Sequence, residues 1–301
     1  MDGRVVIQEV ARRLRSAGCV FADDEARLLI ESAAGPDELD RLVRRRAQGE
    51  PLEHVVGWAE FCGLRIAVEP GVFVPRRRTE FLVDQAGALL SAMADRPGGL
   101  GSPHHPGGPV LVDLCCGSAA IGVAVAARFR DARFHDARFH DARFHDARFH
   151  DARFGDAELH AADVDAAAVR CARRNVAQVG GQVYRGDLFQ PLPDRLRGQV
   201  DLLLANTPYV PTGAITLMPA EARLHEPRVA LDGGPDGLDV QRRVAADVRH
   251  WLRPGGHVLV ETGRDQTPDA VELFSRHGLH ARSVDAHDAG GAVVIATLPS
   301  A

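Results

Sequence analysis

Leu202-Leu203-Leu204-Ala205-Asn206-Thr207-Pro208-Tyr209 is an apolar run that ends abruptly in an amide, a hydroxyl, a proline and a phenol. A short unbroken apolar run bounded in this way predicts a strand buried on both faces, Val200–Ala205, as in a parallel sheet. In open α/β sheets ligands sit beyond the carboxyl ends of such strands, which puts Asn206 at a binding rim. Asn and Pro are also turn formers for local reasons, and from this stretch alone a plain strand-to-turn corner accounts for it equally well.

The surroundings repeat the same signal. Downstream, a helix is expected over Leu238–Leu252, with Val240, Val244, Val248 and Trp251 as its buried stripe, followed by a strand His257–Glu261. The runs Leu279–Val284 and Ala292–Leu298, joined through Asp288-Ala289-Gly290-Gly291, are expected to pair antiparallel at one end of the sheet. Upstream lie strand-like Val110–Leu114, Leu159–Ala162 and Gln182–Arg185, alternating with helical Ala119–Phe129 and Asp165–Gln178. Such alternation predicts the α/β class: a Rossmann-like, mostly parallel sheet with helices on both faces.

One segment stands outside this alternation. Asp131-Ala132-Arg133-Phe134-His135 recurs in tandem through residue 155. On a helix a five-residue period advances each Phe by about 140°, so the rings scatter round the cylinder and no amphipathic stripe forms. The order Ala-x-Phe-x-Asp resembles the pentapeptide-repeat family, but five copies barely close one coil, and such units need stacked neighbours to bury a face. Asp156-Ala157-Glu158-Leu159-His160 keeps the same register while opening the next strand. The 131–155 repeat therefore reads as a tandem expansion inserted in a helix-to-strand loop. Residues 97–109, rich in Pro and Gly with His104 and His105, read as a flexible surface loop and not as a metal site.

The first 75 residues differ in kind. Helical spacing over Val5–Ser16, Asp24–Ala33 and Pro36–Gln48 predicts three short helices, the second capped by Asp23 or Asp24 and the third opened by Pro36. Phe61–Val68 and Val72–Val74, separated by Glu69-Pro70-Gly71, read as a hairpin connector. Two domains follow: 1–75, helical, and 76–301, interrupted at 131–155.

Composition narrows the function. The net charge of −5 argues against affinity built on neutralising many phosphates, although Arg44–Arg46 and Arg76–Arg78 form local basic clusters. The first cluster reads as the solvated face of a helix. Five cysteines without CxxC spacing indicate neither a disulfide framework nor zinc, and no apolar run reaches membrane-spanning length. A cytoplasmic protein without a membrane partner is the expectation.

The chemistry concentrates at strand ends. Val110–Gly122 reads as a strand, an acid, a small-residue turn and a helix start, with Asp113 ready to receive a cationic or hydroxyl-bearing group. Only Gly117 and Gly122 are glycines there, so the GxGxxG spacing of a pyrophosphate cradle is missing. Asp163 follows the second strand, where a carboxylate can accept ribose hydroxyls, and Asp187 in Gly186-Asp187-Leu188-Phe189 follows the third, within reach of an adenine amino group. Each acid alone is an ordinary surface residue or helix cap; three at successive strand ends, with the Asn206–Tyr209 corner after the fourth, form a pattern.

That pattern resembles a class I S-adenosylmethionine methyltransferase acting on a planar nitrogen, and more narrowly the HemK/PrmC family, the N5-glutamine methyltransferases of peptide chain release factors. The likeness covers nearly the whole chain, through Gly49-Glu50-Pro51-Leu52, Gly71–Arg76 with Thr79-Glu80, Asp113–Gly117, Gly186–Phe189, Asn206–Tyr209, Leu231–Gly237, and Pro254-Gly255-Gly256 before Glu261. It implies a seven-stranded sheet with an antiparallel last strand, plus the helical substrate-recognition domain and hairpin. It implies S-adenosylmethionine held by Asp113, Cys115, Cys116, Gly117, Ser118, Ala119, Asp163, Asp187, Leu188 and Asn206, and catalysis at Asn206, Thr207, Pro208 and Tyr209. It implies a release factor with a Gly-Gly-Gln loop as protein substrate; a monomer is expected, and the acidic balance with no obvious target-reading domain predicts no sequence-specific nucleic-acid binding. Two departures stand out: Thr207 replaces the first proline of the usual Asn-Pro-Pro-Tyr, and Cys115, Cys116 and Ala119 replace glycines or small residues of the usual turn. An N6-adenine or guanine methyltransferase of nucleic acid would use the same corner, and a non-catalytic cofactor-binding or ribosome-associated module is the third reading.

Overall fold

The computed structural model describes residues 3–96, 100, 107–130, 157–285 and 291–300. The 131–155 repeat, most of the 97–109 loop and most of the 288–291 joint lie outside them. Helices α1 (Gly3–Ser16), α2 (Ala22–Ser32) and α3 (Pro36–Ala47) pack around Leu14, Leu29 and Val43, all fully buried. In α3 Pro36 opens the helix as expected, with Asp37 and Glu38 in the first turn and Arg44–Arg46 in the last, each placed where the helix dipole favours it. In α2 the expected Asp cap is absent: Asp23 and Asp24 sit inside the first turn, Phe21 takes the cap position, and no side chain caps the helix. Arg46 also departs from a solvated face, for its guanidinium is buried against Glu25 at 2.7 Å and reaches Glu221 at 3.4 Å.

After the short helix α4 (Leu52–Val56) comes the hairpin, in a different register from the one expected. Strands β1 (Trp58–Phe61) and β2 (Leu64–Ala67) turn at Cys62-Gly63, while Glu69-Pro70-Gly71 leads into an extended segment. Cys62 and Gly63 both have positive φ, as a two-residue hairpin turn requires. The hairpin is clamped to the α/β unit: Ala67 donates to Asn175 Oδ1 at 2.8 Å, and its carbonyl accepts from Asn175 Nδ2 and Cys171 Sγ at 3.0 Å each.

The remaining elements are α5 (Glu80–Ala94), β3 (Val110–Leu114), α6 (Ala120–Arg130), β4 (Glu158–Asp163), α7 (Ala166–Val176), β5 (Gln182–Arg185), β6 (Val200–Ala205), α8 (Ala220–His225), α9 (Asp239–Asp247), β7 (Leu252–Gly263), α10 (Thr267–Arg276), β8 (His280–Asp285) and β9 (Gly291–Thr297). They build a seven-stranded sheet in the order β5-β4-β3-β6-β7-β9-β8, parallel except for β9, which runs antiparallel to both neighbours. All six residues of β6 are buried, the expected price of a strand covered on both faces. The helix expected over Leu238–Leu252 stops at Asp247, and Leu252 opens β7 by pairing with Val200. Strand order reverses between β3 and β6, so the crevice at their carboxyl ends is where an open sheet binds ligands. Among the described residues no helix is long and apolar enough to cross a membrane.

Candidate functional site

At that crevice lies a cavity of about 520 Å³. Its floor comes from the turn after β3 (Cys115, Cys116, Gly117, Ser118), from Asp163 after β4, from Asp187 and Leu188 after β5, and from Asn206 to Tyr209 after β6. Its other wall comes from the segment leading out of the hairpin (Phe73, Pro75, Arg76, Arg78) and from residues around α8, among them Met218 and Glu226. The strand-end residues expected to meet are therefore together, with two exceptions. Asp113 and Ala119 do not reach the cavity: both are buried beneath it, at 1% and 0% exposure.

The turn is not a phosphate cradle. Cys116 N–H donates to the Ala162 carbonyl at 3.2 Å, Gly117 N–H to Asp163 Oδ2 at 2.9 Å, and Ala119 N–H to the Cys116 carbonyl at 2.6 Å. Three amides that would have faced an anion are consumed internally, whereas phosphate loops leave theirs open. Gly117 has φ +55 and open space where a Cβ would stand, so the backbone lies bare to a ligand at this point. Asp163 accepts from Gly117 and, through Oδ1, from Asp165 N–H at 2.8 Å, which fixes its carboxylate at the rim with lone pairs to spare. Burial pushes the Asp163 carboxyl above its usual range, against the pull of the two backbone donors. Asp187 pairs with Arg243 of α9, a partner unforeseen from the sequence. Val240, expected in the buried stripe of α9, lines the cavity instead. The Cys115 and Cys116 thiols are held above their ordinary range, by burial first and by Asp163 and Asp113 second, so both are protonated lining groups and not nucleophiles. A hydroxyl-bearing, non-phosphorylated ligand such as an adenosyl group suits this floor.

At the corner, the Asn206 side-chain amide and the Thr207 carbonyl have no hydrogen-bond partner among the described residues. Thr207 is 2% exposed and its hydroxyl is likewise buried without a partner there. A protein that leaves polar groups open at a cavity wall keeps them for a ligand or pays a desolvation penalty.

Comparison with known proteins bears on what that ligand is. A release factor glutamine methyltransferase of Geobacter sulfurreducens is 34% identical over 81% of this chain and 72% of its own length. One from Mycolicibacterium smegmatis is 33% identical over 89% and 82%. The chain belongs to the release factor glutamine methyltransferase family. A 4-amino-L-phenylalanine/4-methylamino-L-phenylalanine methyltransferase of Streptomyces pristinaespiralis is also similar, 33% identical over 81% of this chain and 71% of that one. The pentapeptide-repeat family matches residues 126–164 in eight copies. The two ends of that match are the last residues of α6 and the strand β4, both elements of the methyltransferase fold.

Within this family member, Tyr209 is the most restrained residue of the corner. Its hydroxyl donates to Glu261 Oε1 at 3.0 Å and accepts from Arg78, while its carbonyl accepts from Gln266 Nε2 at 2.9 Å. Burial first, and the Glu261 charge second, raise the phenol above its ordinary range, so it stays a neutral hydroxyl. The loop 231–237 supports the corner from behind: Val210 N–H donates to the Leu231 carbonyl at 3.0 Å and Gly233 N–H to the Val210 carbonyl at 2.9 Å. Arg78, Gln266 and this backing loop were not assigned to the site from sequence; only the basic run Arg76–Arg78 hinted at the first.

Asp113 acts on the turn from below. Its Oδ2 accepts from Gly122 N–H at 2.9 Å, tying the start of α6 to the end of β3, and Oδ1 has no partner among the described residues. Burial is the main reason that its carboxyl is pushed up to about 8, with Gly122 pulling it down and Asp163 adding to the rise. A carboxyl whose folded pKa is raised favours folding fully only below its unfolded value of about 3.9, and that contribution is lost as pH climbs toward 8. His257, buried and pushed down to about 4, works in the opposite sense between about 4 and 6.5. Asp113→Asn is therefore expected to raise the thermal unfolding midpoint at pH 8, by an amount equivalent to a few kcal/mol at most, and to leave that at pH 4.5 nearly unchanged. Equal shifts at both pH values would reject the assignment.

Proposed function

We propose that this chain transfers a methyl group from S-adenosylmethionine to the side-chain amide nitrogen of a glutamine in a peptide chain release factor. The observation that carries the reading is the pair of open acceptors, Asn206 Oδ1 and the Thr207 carbonyl, at the wall of the cavity whose floor holds Asp163, Gly117 and Asp187. Bound S-adenosylmethionine supplies an electrophilic methyl on a sulfonium; the remaining task falls to the chain. Asp163 would take the ribose hydroxyls, the bare Gly117 turn the amino-acid end, and Leu188 with Asp187 the adenine.

An amide nitrogen is a poor nucleophile because its lone pair is delocalised into the carbonyl. Two acceptors that hold both N–H bonds turn the lone pair toward the methyl and stabilise the positive charge that develops on nitrogen. Any residue offers a backbone carbonyl, so Thr207 serves where the family has proline. As the new nitrogen–carbon bond forms, the carbon–sulfur bond breaks and S-adenosylhomocysteine would leave; no strong general base is required beforehand, since the proton becomes acidic only as charge builds on nitrogen and would then pass to solvent. Tyr209, held in place by its hydroxyl, would pack against the planar amide.

Mass spectrometry of a release factor incubated with enzyme and S-adenosylmethionine tests this. The expected result is the gain of one methyl on the glutamine of the Gly-Gly-Gln loop, retained in a variant lacking residues 131–155, because α6 and β4 then join through an ordinary short connection. Methyl incorporation into nucleic acid, or into 4-amino-L-phenylalanine, with none into the release factor, would replace the substrate assignment. The similarity to a methyltransferase of that arylamine makes it the right competing acceptor.

A further inference from the structure

The basic run Arg76–Arg78 divides among three fates. Arg76 pairs with the buried Glu226, Arg77 is exposed, and Arg78 reaches the corner. The Arg78 guanidinium donates to the Tyr209 hydroxyl and, through Nε, to Glu261 Oε1 at 3.2 Å, with its central carbon 5.8 Å from the Tyr209 ring centre. Tyr209 donates to the same oxygen at 3.0 Å. Three side chains from the hairpin exit, the corner and β7 thus meet at one atom. The Glu261 side chain is only 5% exposed, and among the described residues its Oε2 is buried without a partner and Arg78 is the cation paired with it.

We infer that Arg78 is a positioning residue for methyl transfer: it clamps the Tyr209 phenol against Glu261 and so sets the ring beside the Asn206–Thr207 acceptors. The inference rests on the corner being the acceptor site. A planar fork suits two oxygens on neighbouring groups, which one ammonium on a flexible stem does not. Arg78 makes no hydrogen bond to Gly117, Asp163 or Asp187, so its loss falls on the acceptor side and not on cofactor affinity. It also joins the segment that follows the hairpin to the ends of β6 and β7.

The test is a double-substitution cycle with wild type, Arg78→Met, Tyr209→Phe and the double variant, assayed with release factor and S-adenosylmethionine. Arg78→Met is expected to lower kcat about tenfold with the cofactor KM within about twofold, and to lower it less than about twofold in the Tyr209→Phe background. Arg78→Lys falls between wild type and Arg78→Met. A tenfold fall in both backgrounds, or an effect confined to the cofactor KM, overturns the clamp. Should Arg78→Met not fold, Arg78→Gln takes its place in the cycle. If wild type methylates no release factor, the proposed function falls, and thermal unfolding midpoints of the same four proteins decide the clamp: shifts that fail to add support it, and additive shifts overturn it.

Discussion

Asn206→Ala is expected to lower methyl transfer about 10²–10³-fold with a far smaller change in cofactor affinity, since Asn206 is one of several residues assigned to the cofactor. The side chain projects from the end of β6, whose backbone is held on one side by β3 and on the other by β7, so its removal leaves the strand in place. In the proposed mechanism what disappears is one of two acceptors for the substrate N–H bonds. The nitrogen lone pair then returns to conjugation with its carbonyl, and the barrier rises by the charge stabilisation lost. The rest of the floor, with Gly117, Asp163 and Asp187 at the ends of other strands, is untouched. Calorimetric titration with S-adenosylhomocysteine, alongside single-turnover methyl transfer, separates the two quantities. Turnover above a tenth of wild type would remove Asn206 from the reaction.

The second large effect is expected at Gly237, which makes no contact with substrate in any reading. Its φ is +81, and a Cβ there would lie 2.2 Å from the Tyr209 carbonyl oxygen and 2.1 Å from Gln266 Nε2. Gln266 is a side chain and can yield; the Tyr209 carbonyl belongs to the corner's backbone and can move only by moving the corner. Gly237→Ala should cost about 1 kcal/mol for the left-handed conformation and roughly 2 kcal/mol more for the collision, seen as a lowered unfolding midpoint. A corner displaced by about 1 Å should also lose about 10²-fold in kcat, with cofactor affinity preserved. Gly198→Ala is the control, since its φ of +67 is equally strained but nothing stands within 4 Å of the added carbon. It should lose the strain energy alone and keep full kcat. Full activity in Gly237→Ala would mean that the 231–237 loop does not set the corner.

Where the sequence was legible, a physical rule made it so. Strands buried on both faces of a parallel sheet read as unbroken apolar runs, and β3, β4 and β6 were placed within a residue or two on that signal. Their acids and the Asn206 corner followed, because open sheets put ligands beyond strand ends. The hairpin failed for the opposite reason. Glu69-Pro70-Gly71 carries the stronger local turn signal, yet the chain turns at Cys62-Gly63, because Asn175 and Cys171 of α7, more than a hundred residues away, take up the backbone of Ala67. Helix α5 buries Leu82, Val83, Ala86, Gly87, Leu90 and Met93 on one face, but Phe81, Ala88, Leu89 and Ala92 make the rest of its surface apolar too, so no stripe stands out and the helix is not legible in the sequence. Asp113 was read as a ligand acid from its strand-end position; whether a carboxylate there faces the cavity or the helix start beneath is a matter of side-chain direction.

The sequence by itself determined the α/β class, the family and the residue types at each strand end, because strand periodicity and short motifs are local and survive without a partner. Only the tertiary structure decided which of those residues face a common cavity. It left Asp113 and Ala119 below the floor, gave Asp187 to Arg243, and brought Arg78 to Tyr209 and Glu261 across 131 and 183 residues of chain. Contacts at such separations depend on how the hairpin, the sheet and the 231–237 loop pack together, and packing of distant segments leaves no period and no spacing in the chain from which it could be read.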